Sequence, residues 1–381
     1  MCCFIHFGVM FIRFTTMNIQ LGQLGPSILD RLAQIREENG RLLDETIRNL
    51  KIQRKVKNIL LVGIPSAGKS SFINSLVSLI LGKFLPVASV GQGVQQTHTY
   101  AAHRYEHFGI TQDHLEGSLN EETARIIQPY LPNLDDFVGL SDANTDEIKE
   151  VLWLKVFGYL QPGIQINALL NRLRDRGVGY LRRIYTKSKE EWKTDVVIFV
   201  HSVASAPVPT KLIECLLEVI RPRHTLCPVD VDLYVVLTKM DKVETGEVSK
   251  ETLEAIENDI AGAFGFHGFK EYKLFKITNW CDTVGFLNSS ADSLCEWDEG
   301  SVTLNNQLLK LLRNVSIPKG VQEPIEEITY FQSFLPEIYM WYTRINRIFQ
   351  AHLELWDARD IFYAAIFGLI LILVVYFLLT R

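Results

Sequence analysis

Continuous apolar runs alternate with segments of helical periodicity along most of the chain. Ile59 to Val62, Val196 to Val200, Val231 to Leu237 and Leu274 to Ile277 are runs that suit strands buried on both faces of a parallel sheet. Between them, Phe72, Ile73, Leu76, Val77 and Ile80 recur at helical spacing, as do Ile148, Val151, Leu152, Val156 and Leu160 before Pro162-Gly163. Residues 211–220, 251–264 and 302–312 read as further covering helices. The alternation predicts an α/β fold with a doubly wound, mostly parallel sheet.

The flanks differ from this pattern. Residues 27–56 predict an amphipathic helix that Gly40 breaks or kinks, and residues 1–26 a poorly ordered leader. Pro318, Gly320 and Pro324 mark a boundary, after which 323–360 reads as an aromatic-rich helical segment expected to pack on the first helix. Ile361 to Thr380 is a stretch of 20 residues without one charge, long enough as a helix for about 30 Å. It predicts a transmembrane helix and tail anchoring. Arg344, Arg347 and Arg359 precede it and only Arg381 follows, a bias that places the large domain, 57–315, in the cytosol. The endoplasmic reticulum is the working choice of membrane.

Composition narrows the partners. With 47% apolar and 22% charged residues, 381 residues can bury a large core, and disorder is excluded. The 39 basic and 44 acidic residues leave a net charge of -5, which gives no electrostatic footprint for nucleic acid. Six scattered cysteines without C-x-x-C spacing fit free thiols in a reducing compartment. His98, His103, His107 and His114 lack nearby cysteines and read as surface histidines. The basic run Arg172, Arg174, Arg176, Arg182 and Arg183, within a helical segment from Ile166 to Arg183, reads as a solvated face rather than a contact for phosphate or a partner.

The chemistry begins where the first strand ends. Gly63 to Ser70 fits G-x-x-x-x-G-K-[ST], a loop whose backbone N–H groups cradle phosphates at a helix start. Gly63, Ser66, Ala67, Gly68, Lys69, Ser70 and Ser71 are therefore candidate phosphate-side residues, with Lys69 a point charge on the β and γ phosphates and Ser70 a ligand of Mg²⁺. In the polar segment after the following helix, Thr97 and Thr99 are candidates for a second Mg²⁺ hydroxyl, and Thr97 is taken. Asp136 and Gly139 fit D-x-x-G, with Asp136 in the metal shell and Gly139 near the γ-phosphate, although Asp135 competes for the carboxylate role. Thr238-Lys239-Met240-Asp241 fits [NT]-K-x-D. A carboxylate at Asp241 can accept from both the N1–H and the exocyclic amine of guanine, a donor pair that adenine lacks. Thr278 and Asn279 end the last strand, where a further base contact falls. The ligands implied are GTP or GDP and Mg²⁺.

With both signatures in place, the stretch from about 57 to 315 resembles GTP-binding domains, and most closely the interferon-induced protein 44 family. Leu61-Val62-Gly63, Gly68 to Ser75 and the long segment between Gly139 and Asp195 carry the likeness. The run Ser66 to Ser71 is also similar to the dynamin P-loop, which implies a phosphate-side catalytic role for Ser66 beside Lys69. The resemblance implies a role in innate immune response. Homodimerisation across the nucleotide face is a separate expectation, as a means of accelerating hydrolysis. Two residues depart from the relatives: Pro65 stands where dynamins place a glutamine, and Leu140 where small signalling GTPases place theirs. The expected activity is therefore slow, Mg²⁺-dependent GTP hydrolysis. The alternatives are a membrane scaffold that binds nucleotide without turnover, and an ATP-dependent enzyme, which Asp241 disfavours.

Overall fold

In this computed structural model, residues 26–318 are described except 54, 91–100, 117, 119, 206, 222–230, 267–269 and 280–298. The chain divides into two compact units after Val321, and every described residue lies in the first. Helix α1 (Pro26–Ile52) precedes strand β1 (Asn58–Val62), which enters the Gly63–Ser70 loop and helix α2 (Lys69–Leu81). Short strands β2 (His103–Tyr105) and β3 (Asn133–Asp136) lead to helices α3 (Asp146–Val156), α4 (Ile166–Arg176) and α5 (Tyr180–Ile184). Then come β4 (Val196–Ser202), α6 (Thr210–Ile220), β5 (Asp232–Thr238), α7 (Lys250–Phe264), β6 (Leu274–Lys276) and α8 (Glu299–Ser316).

The strands form one sheet in the order β2-β3-β1-β4-β5-β6, with β2 antiparallel to β3 and every other pair parallel. The pleat explains the unbroken apolar runs. Leu60, Val62, Val197 and Phe199 face one core with α3, α6 and α7, while Ile59, Leu61, Val196 and Ile198 face the other with α2 and α8. Each such fully buried side chain contributes roughly 1.5–3 kcal/mol. Because the chain runs outward from β1 to β3 and returns to β4, β1 stands at the switch point of the sheet. The crevice beyond its C-terminal end is where open α/β sheets place ligands.

Two local readings of the sequence change. Gly40 neither breaks nor ends α1, which runs through it. The predicted helix of 166–183 is two helices, because Gly177 and Gly179 both take positive φ and interrupt it. The main partner of α1 among the described residues is α8: Arg313 donates to Glu45 at 2.9 Å, and Lys310 pairs with Glu38 at 3.0 Å. The buried Lys57 amine, at the root of β1, donates to the carbonyls of Val315 and Ile317 at 2.7 Å each, which closes the C-terminus of α8. Among the described residues no helix is long and apolar enough to cross a membrane. The leader, the 323–360 segment and the 361–380 span lie outside the described residues.

Candidate functional site

Every described candidate residue follows the C-terminal end of a parallel strand: the Gly63–Ser71 stretch after β1, Gly139 after β3, Lys239 and Asp241 after β5, and Thr278 and Asn279 after β6. Asp136 and Thr238 are themselves the last residues of β3 and β5. Thr97 lies outside the described residues.

The loop after β1 is held from three sides. Gly68, the N-cap of α2, has φ +89°, and no side chain caps the helix. A Cβ at Gly68 would lie 2.9 Å from Nδ2 of Asn279 and 3.1 Å from Oγ1 of Thr238, so the position has room for glycine alone. Thr238 Oγ1 donates to the Ala67 carbonyl at 2.7 Å, and Asn279 Nδ2 donates to the Gly68 carbonyl at 3.3 Å. The residues assigned from sequence to the base therefore rest directly on those assigned to the phosphates. On the other side, a Cβ at Gly139 would lie 2.6 Å from Cα of Pro65, and Leu140 N–H donates to the Gly63 carbonyl at 3.2 Å. Ser66 and Lys239 both adopt left-handed backbone without being glycine, at φ 59° and 60°. Such strain concentrates at ligand clamps.

The loop's cation is buried. Lys69 Nζ donates to the carbonyls of Ile64 at 3.0 Å and Gly63 at 3.2 Å. Burial pulls its pKa down to about 8, against the opposing pull of Asp136. Lys239 is also held below the usual lysine range by burial, with Asp241 opposing. Asp241 opens the short helix Asp241–Glu244 and is half-buried, as are Thr278 and Asn279.

The two adjacent carboxylates of β3 go to different places. Asp136 faces α2, where its Oδ2 accepts from the Ser70 hydroxyl at 2.7 Å. Its charge also adds to the burial that pushes the Tyr105 phenol up to about 12. Asp135 points to the opposite face and is fully buried between Arg104, which donates from Nε and Nη2 at 2.9 Å each, and Lys155 of α3 at 2.8 Å. Burial would raise the Asp135 carboxyl, but Lys155 and Arg104 overcome it and hold the group below the usual carboxylate range. Spacing left the choice between these neighbours open; the pleat turns Asp136 toward Ser70 and Asp135 away from it. The residues present fit the groups expected. A hydroxyl and a carboxylate at hydrogen-bond distance are the hard oxygen donors that Mg²⁺ takes, and an uncapped helix start beside a buried lysine suits phosphate.

Sequence reasoning missed Arg104, Lys155 and His201. His201 is fully buried at the end of β4, both ring nitrogens lack a hydrogen-bond partner, and burial pushes its pKa down to about 4. Its position directly after the apolar run Val196 to Val200 was the available signal. Among the described histidines outside the strand core, His107 contacts the Leu131 carbonyl at 3.0 Å, and His114 accepts from the Thr111 backbone at 3.2 Å.

The strand order, the loop at its switch point and the loops gathered there define an α/β fold with a mostly parallel sheet and flanking helices. No family model and no curated protein matches the sequence. Among solved structures, Toc33 from Arabidopsis thaliana in complex with GDP and Mg²⁺ is similar at 13% identity and a TM-score of 0.35, covering 73% of this chain and 90% of that one. So weak a likeness says nothing of what this chain binds.

Proposed function

We propose that residues 57–315 form a guanine-nucleotide-binding domain that takes GTP or GDP with Mg²⁺ and hydrolyses GTP slowly. One observation carries the reading: Thr238 and Asn279 donate to the carbonyls of Ala67 and Gly68, which joins the base-side and phosphate-side motifs into one site. In this reading the helix start from Gly68 to Ser71, with Gly63, Ser66, Ala67 and Lys69, holds the phosphates. Ser70, Asp136 and Thr97 hold Mg²⁺, Gly139 approaches the γ-phosphate, and Thr238, Lys239, Asp241, Thr278 and Asn279 hold guanine. Mg²⁺ would neutralise charge on the β and γ oxygens during transfer. Lys69 would regain its full charge beside them, and Ser66 would act from the exposed lip of the loop. Residues 361–380 would anchor the chain in a membrane, and the resemblance to the interferon-induced protein 44 family points to innate immune response.

The test is nucleotide binding by the full chain, GTP against ATP, with Mg²⁺. The expected preference for GTP is at least about a hundredfold, from two donors met by one carboxylate. Lys69→Ala should abolish binding of both nucleotides, and Asp241→Asn should remove the preference. Equal affinity for GTP and ATP in the wild type refutes the guanine assignment.

A second reading, a scaffold that binds nucleotide without turning it over, is favoured by the contact between Pro65 and Gly139. The neighbouring Leu140 is buried in the core, so the position where small signalling GTPases place their glutamine offers no side chain to position water. Single-turnover hydrolysis at high and low protein concentration separates the readings. A rate that rises with concentration supports turnover by a homodimer, and no hydrolysis at either supports the scaffold.

A further inference from the structure

We propose that the turn between α4 and α5 is a preformed contact for an anionic lipid surface, with Val178 as its apolar tip. The turn reads Arg176-Gly177-Val178-Gly179, and the two glycines carry φ 83° and 85°. A Cβ built on either would meet nothing within 4 Å, so Val178 stands in open space and is 54% exposed. Ile184, at the end of α5, is 48% exposed. Around these two, Arg172, Arg174, Arg176, Arg182, Arg183 and Lys187 are all exposed; the opposing charges are Asp175 within this stretch and Glu147 of α3, whose carboxyl feels Arg174. In a chain of net charge -5 this is a local inversion of sign.

The turn is positioned from within. Glu150 of α3 is almost wholly buried, and its carboxylate accepts from the backbone N–H groups of Gly179 and Arg182, the latter at 3.1 Å. A buried carboxylate spent on the backbone of an exposed turn fixes that turn rigidly to the core. The Arg182 guanidinium lies 4.5 Å from the Trp153 ring centroid, which orders one of the flanking cations as well. A projecting apolar tip ringed by arginines suits a deformable, negatively charged interface, into which the tip inserts while the guanidinium groups stay among headgroups. A protein partner would instead need a matching concavity for each exposed side chain. This inference stands apart from the nucleotide reading and from the 361–380 segment.

The test is amide hydrogen exchange of peptides spanning 172–187 in the full chain, with vesicles of phosphatidylcholine alone or mixed with phosphatidylserine. Exchange at the turn should slow on the mixed vesicles only. Each arginine removed should lower the ratio of docked to undocked turn about fivefold, so Arg174→Gln/Arg176→Gln lowers it about 25-fold. Val178→Asp should abolish the protection. Both variants change exposed positions, and an unaltered melting temperature verifies their folding. Equal protection on both vesicles, full protection in the variants, or the same slowing with a soluble polyglutamate or with inorganic phosphate overturns the proposal.

Discussion

Lys69 makes the loop that holds it less stable, and the size of that penalty can be measured. Its amine falls from an ordinary 10.5 to about 8 because burial outweighs the attraction of Asp136. That drop corresponds to about 3 kcal/mol against the charged form. The unfolded chain binds the Lys69 proton up to about pH 10.5, whereas the folded chain releases it near pH 8. Below pH 8 the fold therefore carries the whole penalty, and between pH 8 and 10.5 it is progressively relieved, so stability rises with pH in that window. Lys69→Met keeps the length of the side chain and removes the titration, although it also gives up the donations to the carbonyls of Gly63 and Ile64. Those lost bonds offset the difference at every pH and leave its slope unchanged. Urea unfolding of the two proteins, without nucleotide, across pH 7 to 10.5 gives the result directly. Relative to Lys69→Met, the wild type should gain about 3 kcal/mol over the window. A difference that stays flat, or that moves in favour of the variant, would show that Lys69 is not desolvated as its burial implies.

Two further outcomes follow from buried charge and buried polarity elsewhere. Asp135→Asn leaves the side chains of Arg104 and Lys155 buried without their anion and should cost about 3–5 kcal/mol in urea unfolding; a cost near zero would mean that water reaches the triad. His201, neutral in the fold down to about pH 4 against an ordinary 6.5, withholds a proton that the unfolded chain takes up. The stability it lends is complete above pH 6.5 and is lost as pH falls to 4, by up to about 3 kcal/mol. His201→Leu should remove that loss from the acid limb of a melting-temperature profile, and an unchanged limb would place the acid sensitivity elsewhere.

The parts legible in the sequence were those whose cause is local. β1, β4 and β5 show as unbroken apolar runs because both faces of each are covered, and the Gly63–Ser70 loop shows because strand and helix flank it. What escaped depends on partners distant in the chain. Arg104 meets Asp135 only through the antiparallel register of β2 on β3, and Lys155 reaches the same carboxylate from a helix 20 residues on. The split of 166–183 was hidden by an apolar period that continues across Gly177 and Gly179, since Leu173 and Leu181 are both buried while Val178 is not. His201 stands just past the apolar run Val196 to Val200 and so fell outside the strand as read, because an apolar run ends at the first polar residue and is silent on whether that residue is buried or has a partner.

The alternation of Asp135 and Asp136 also bears on which insertions and deletions this gene could survive. A slip of β3 by one residue along β1 would either carry Asp135 to the place beside Ser70 and leave Leu134 in the ion triad, or carry Asp136 into the triad and leave Phe137 beside Ser70. A slip of two would restore the facing but seat neither aspartate in its own place. Variation in length therefore belongs in the loop ahead of the strand, where the register is not disturbed, a constraint that neither residue's chemistry would reveal alone.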